Sequence, residues 1–99
     1  MDDKFILDAD GKTPIPADLM TWAKWCESNP ALKIVKQEEV HGVKVSTVFL
    51  SLDHSFGHGP PVLWETMIFG GEHDEYQERY STYDDAVAGH QKAVEMVRG

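Results

Sequence analysis

The chain has 99 residues, 41% hydrophobic and 26% charged, the size and makeup of one soluble domain with no room for two independent cores. Seventeen acids oppose nine lysines and arginines for a formal charge of -8, which repels phosphate backbones and anionic lipid and argues against direct nucleic-acid binding. The single cysteine, Cys26, cannot close an internal disulfide, and no run approaches the ~20 apolar residues of a membrane span or, after Met-Asp-Asp-Lys, the length of a signal peptide; a reducing, cytoplasmic setting away from membranes is expected.

Taken in order, Phe5-Ile6-Leu7 predicts a short strand, ended by the turn-forming residues Asp8 to Gly11. Thr13-Pro14-Ile15-Pro16 leads to a first helix over Ala17 to Glu27, with Pro16 at its first position and Asp18 in its first turn. Leu19, Trp22, Ala23 and Cys26 recur at i, i+3, i+4 and i+7 and predict the buried stripe of that helix, which Ser28-Asn29-Pro30 stops. Leu32 to His41 alternates in period two but is rich in polar residues, as an edge strand is. His41-Gly42 is a two-residue hairpin connection, and Val43 to Leu52 follows as the central strand. Within it Val45, Thr47 and Phe49 share one face while Val48, Leu50 and Leu52 share the other. After a Gly- and Pro-containing loop from Asp53 to Pro61, Val62 to Phe69 is a third strand, stopped by Gly70-Gly71. Glu72 to Glu78 is too acidic for a core and is expected as an exposed connection, with Arg79-Tyr80-Ser81 adding a short extended piece. Ser81 or Thr82, with Asp84 or Asp85 three residues on, caps a second helix whose stripe is Tyr83, Ala86, Val87, His90, Ala93, Val94 and Val97. The expectation is a single α+β domain over residues 1–99: an antiparallel sheet of three to four strands with two helices packed on one face.

The densest collection of chemically capable groups is the 53–61 loop. Asp53, His54 and His58, with Glu65 from the next strand and His90 from the second helix, form the candidate ligand-binding set. A metal reading adds His73 and Asp74, but the spacing of four between His54 and His58 aligns two imidazoles only in a helix, which Gly57, Gly59, Pro60 and Pro61 oppose. The plainer reading is favoured: Asp53 caps a turn, the two histidines are solvated or bond the loop backbone, and no metal or cofactor is expected. Ser51 or Ser55 beside Asp53 and His54 has no nucleophile-elbow context, Asp8 to Gly11 is a fragment of a calcium loop, and no phosphate-binding glycine motif occurs.

His90 lies on an apolar stripe and is expected to be a satisfied, buried or half-buried histidine; Asp53 or Glu65 as its partner would make it pH-responsive. Cys26 reads as a small core hydrophobe. Trp25 sits about 100° around the helix from Cys26, so it either widens the buried face or remains partly exposed as an interface anchor. An exposed Trp25 near the acids Glu72, Asp74, Glu75, Glu78, Asp84 and Asp85 suits a basic protein partner; the alternative is a solubilising surface.

The stretch VSTVFLSLDHSFGHGPPVLWETMIFGG from Val45 to Gly71, with Arg79 to Ala86 and Gly89-His90, resembles small proteins of about this length encoded by bacteriophages and prophages. The likeness spans most of the chain. That group has no assigned activity, so the resemblance implies a phage origin and carries no catalytic residue with it. Its class-level implication is binding of a host protein, including anti-CRISPR-like counter-defence. The leading expectation is therefore a non-catalytic accessory protein acting on a host protein. The alternatives are a small-ligand, nucleotide or metal binder, or a hydrolase, centred on the 53–61 loop, and a phage structural subunit or homo-oligomer assembled through the ribbon Lys33 to His41.

Overall fold

The structure is a computed structural model that describes residues 3–55 and 59–99. Strand β1 (Phe5–Leu7) pairs antiparallel with β2 (Pro14–Pro16) in a two-stranded ribbon. The expectation that Pro16 opens the helix is corrected here. The rungs that need an amide fall elsewhere, with Asp8 N–H donating to Thr13 and Ala17 N–H to Lys4, so both prolines occupy positions where no N–H is required. The Asp10 carboxylate closes the intervening turn by accepting from the Thr13 hydroxyl and from the amides of Lys12 and Thr13, which hold its pKa down at about 2.

Helix α1 (Leu19–Ser28) starts one residue after Asp18, which is its N-cap and accepts from the Thr21 amide at 2.8 Å. The predicted stripe is rotated. Leu19 is 59% exposed and Ala23 is exposed, while Trp22, Trp25, Cys26 and Asn29 are half-buried. The same i, i+3, i+4, i+7 spacing thus begins at Trp22, because turning two indoles inward removes more apolar surface from water than turning in Leu19 and Ala23.

After a short 3-10 turn at Pro30–Lys33, strands β3 (Ile34–Val40), β4 (Val43–Phe49), β5 (Trp64–Phe69) and β6 (Gln77–Tyr80) form an antiparallel sheet in the order β3-β4-β5-β6. His41 and Gly42 have φ of 51° and 78°, the positive pair a type I′ turn requires. The extended piece expected near Arg79 is β6, the fourth strand. Helix α2 (Tyr83–Arg98) is capped by Thr82, whose hydroxyl accepts from the Asp85 amide at 3.1 Å, and it contacts all four strands.

Val45, Thr47 and Phe49 of β4 and Trp64, Thr66 and Ile68 of β5 lie in register on the face that α2 covers, against Ala86, Ala93 and Val94. Trp25 of α1 meets Phe49 on that face, ring edge to ring face at 5.8 Å and 85°. The molecule is α+β, with two helices packed against a four-stranded antiparallel sheet plus a two-stranded ribbon. No helix among the described residues is long and apolar enough to cross a membrane.

Candidate functional site

Asp53 is committed to its own loop. Its carboxylate accepts from the Ser55 amide at 2.8 Å, the Ser55 hydroxyl at 2.9 Å and the Val62 amide at 2.9 Å. Burial pushes its pKa up, but these donors outweigh burial and hold it below the ordinary carboxylate value. His54 Nδ1 lies 2.8 Å from the Leu52 carbonyl, and its amide donates to Val62. This is the turn-capping arrangement that the plainer sequence reading anticipates. His58 lies outside the described residues.

Glu65 alternates with Trp64 and Thr66 and so projects from the sheet face opposite α2, where it accepts from Arg79 Nε at 2.9 Å and from the Gln77 side-chain Nε2. His90 reaches the sheet from the α2 side. The two residues therefore stand on opposite faces, and neither Glu65 nor His90 shares a hydrogen-bond partner with the other or with Asp53 and His54. Among the described residues no group of three or more His, Cys, Asp and Glu is placed to hold a metal ion.

His90 is buried, 2% exposed, and its partner is Glu38, in place of either carboxylate considered from sequence. Nε2 lies 2.8 Å from Glu38 Oε1, Nδ1 lies 2.7 Å from Thr47 Oγ1, and Thr47 Oγ1 lies 2.6 Å from Thr66 Oγ1. The chain Glu38–His90–Thr47–Thr66 crosses from β3 to β5 beneath α2. The hydrogen bond from His90 lowers the Glu38 pKa, with Lys36 adding to the effect at 3.7 Å. An ionised carboxylate can only accept, so Nε2 carries a proton.

A carboxylate, an imidazole and a hydroxyl in line resemble a hydrolytic triad in composition. Access decides against that reading: Thr47 and Thr66 are 0% exposed, so no substrate carbonyl can approach either oxygen. The chain is a buried structural network. Its members were legible in part, since Thr47 is in phase with Val45 and Phe49, and Glu38 is in phase with Val40 on the same face of β3. What the sequence lacked was the phase of α2 over the sheet, which selects Glu38 as partner.

Beside this network, α2 and the edge strand β3 enclose a groove of about 380 Å³ lined by Val35, Lys36, Tyr83, Val87, His90 and Gln91. Val87, placed on the buried stripe by sequence, is 45% exposed on its wall, because β3 is the last strand of the sheet on that side and no element among the described residues lies beyond it.

Trp25 is half-buried against Phe49, so it widens the core face while part of its side chain stays accessible. Glu72, Asp74, Glu75, Glu78, Asp84 and Asp85 are all exposed. They follow the β5–β6 turn, the edge strand β6 and the first turn of α2. Residues 72–85 hold six acids against one base, Arg79, and that guanidinium is paired with Glu65. Family models, curated proteins and solved structures, compared with this chain, gave no match.

Proposed function

We propose that the chain acts without catalysis, by binding a basic host protein along the acidic β6 edge, in the manner of the phage accessory proteins its sequence resembles. The observation that carries this reading is the concentration of acidic charge over residues 72–85 beside β6, the outer strand of the sheet among the described residues. A patch of one sign steers a partner of the opposite sign and fixes its orientation. As the outer strand, β6 turns one row of backbone groups away from β5 next to that charge, the usual docking element for an extended segment of a partner. The lack of an accessible nucleophile–base pair in the Glu38–His90–Thr47 network supports a binding role over a hydrolytic one. Host origin of the partner, and a counter-defence role, rest on the phage resemblance.

The test is co-purification from a bacterial lysate with the unaltered chain and with a variant carrying Glu72→Gln, Asp74→Asn, Glu75→Gln and Glu78→Gln, followed by direct affinity measurement on the recovered protein. The expected result is a basic partner whose affinity falls at least tenfold in the variant and falls with added salt. Equal affinity for both chains, or no salt dependence, overturns the reading.

A further inference from the structure

The two edges of the sheet differ in chemistry. β6 is short and bordered by acids, so two copies repel there. β3 is seven residues long and carries both signs, with Lys36 and Glu38 flanking Gln37. We propose that β3 is a self-association edge, pairing antiparallel with β3 of a second copy about a two-fold axis through Gln37.

Three observations carry it. The first is which backbone groups are free. Val40 and Val43 flank the two-residue turn and form the first hydrogen-bonded rung with β4. Alternation from that rung points the N–H and C=O of Glu38 and Lys36 toward β4, and those of Gln37 and Glu39 outward. A two-fold axis at Gln37 lets the two copies of that residue exchange both N–H···O bonds.

The second is charge. In that register Lys36 stands opposite Glu38 of the partner subunit, and Glu38 opposite Lys36 of the partner subunit. These are non-hydrogen-bonded positions, where opposed side chains come closest. The register shifted by two residues toward the strand's start puts Lys36 opposite Lys36 of the partner subunit, and the opposite shift pairs the two copies of Glu38. Both juxtapose like charges, so β3 selects one register. Within one subunit the Lys36 ammonium is 3.7 Å from Glu38 and its side chain is 57% exposed, free to swing to the second copy.

The third is apolar surface at the junction. Val87 on the α2 side, at 45% exposed, and Ile34 on the other side, at 46%, flank the strand where a second copy would cover them. The irregularity between Ile34 and Lys36 turns Val35 into the core and confines flat pairing to Lys36 onward, which still contains the central rungs.

The experiment is light scattering on size-fractionated full-length protein from micromolar to millimolar concentration, with folding checked by circular dichroism. The unaltered chain is expected to approach twice its 11.1 kDa mass as concentration rises. Lys36→Glu alone and Glu38→Lys alone each place like charges on both outer rungs and are expected to weaken association at least tenfold. Mixed together they restore two opposite-sign pairs, and a heterodimer is expected. Should Glu38→Lys fail to fold for want of its contact with His90, Gln37→Pro decides, because it deletes the outward N–H and is expected to give a monomer. A monomeric unaltered chain at millimolar concentration overturns the proposal. So does undiminished association in Lys36→Glu or in Gln37→Pro, or a mixture of two folded variants that stays monomeric.

Discussion

His90 Nε2 lies 2.8 Å from Glu38 Oε1 across 52 residues of sequence, and this contact fixes how α2 sits on the sheet. Because Glu38 accepts, Nε2 donates; in the neutral ring Nδ1 is then the acceptor, taking the Thr47 hydroxyl proton, and Thr47 in turn accepts from Thr66. The bonds run in one direction from β5 to β3 through the helix. Each polar atom in it is buried or half-buried, so the network specifies one placement of α2 while leaving few lone pairs unmet.

Removing the middle hydroxyl tests that account. Thr47→Val preserves shape but strips His90 Nδ1 and Thr66 Oγ1 of their partner, and a loss of about 1–3 kcal/mol is expected in urea denaturation. Adding Thr66→Val to it costs less than the two single changes together, since the second hydroxyl has already lost its acceptor. Additive losses would mean that the two hydroxyls act independently.

Acid sensitivity follows from Glu38. The hydrogen bond from His90 and the nearby Lys36 ammonium lower its pKa in the folded state below the ordinary 4.5. Its contribution is therefore present above 4.5 and is lost as pH falls through the lower, folded value. Asp53 and Asp10 are lowered too and titrate in the same direction, so comparison with a single variant is needed. Glu38→Gln is expected to show a shallower loss of stability below pH 4.5 than the unaltered chain, measured by denaturant titration at a series of pH values. Identical slopes would remove Glu38 from the acid response.

Gly89 offers a contest between helix propensity and packing. An alanine inside a helix is worth about 1 kcal/mol over glycine. At this position, however, a Cβ would fall on the Tyr80 ring and hydroxyl, which close over Gly89 from β6. Overpacking of that kind costs about 1–3 kcal/mol, so packing is expected to win and Gly89→Ala to unfold at lower denaturant concentration. Combining it with Tyr80→Leu should recover part of the loss by opening the space.

These relationships show where local sequence was sufficient. The His41-Gly42 hairpin, the Thr82 cap and the face shared by Val45, Thr47 and Phe49 all follow from turn chemistry and period two, and all are present. β2 was hidden because two prolines in three residues argue against a strand unless the pairing partner and its rungs are known. The rotation of α1 was hidden for a related reason: two stripes, one starting at Leu19 and one at Trp22, fit the same spacing, and the choice is made by Phe49, a residue far along the chain. The 53–61 loop carried the most suggestive residue types, yet Asp53 spends its acceptors closing the loop and Glu65 lies beyond the sheet from His90. Residue types alone do not report on which side of a sheet they stand.

The placement of Trp25 separates a folding role from a binding one. Its ring packs on Phe49, and the neighbouring Trp22 indole donates to the Ser51 carbonyl at 3.1 Å, so both side chains help attach α1 to the rest of the molecule. Trp25→Ala is expected to cost about 2–4 kcal/mol, at the lower end of aromatic truncations because the ring is half-buried. For a domain of this length each kcal/mol moves the Tm by about 4–8 °C, which thermal denaturation resolves easily. Trp25→Phe retains an edge-to-face ring and should lose less. Neutralising Glu72, Asp74, Glu75 and Glu78 should leave the Tm nearly unchanged or raise it slightly by relieving repulsion, because these side chains are exposed. A partner lost with the acidic variant at full thermal stability is therefore lost from a surface, whereas one lost with Trp25→Ala at lowered Tm is lost with α1. If Trp25→Ala instead melts with the unaltered chain, the contact with Phe49 contributes nothing and the indole is free for another role.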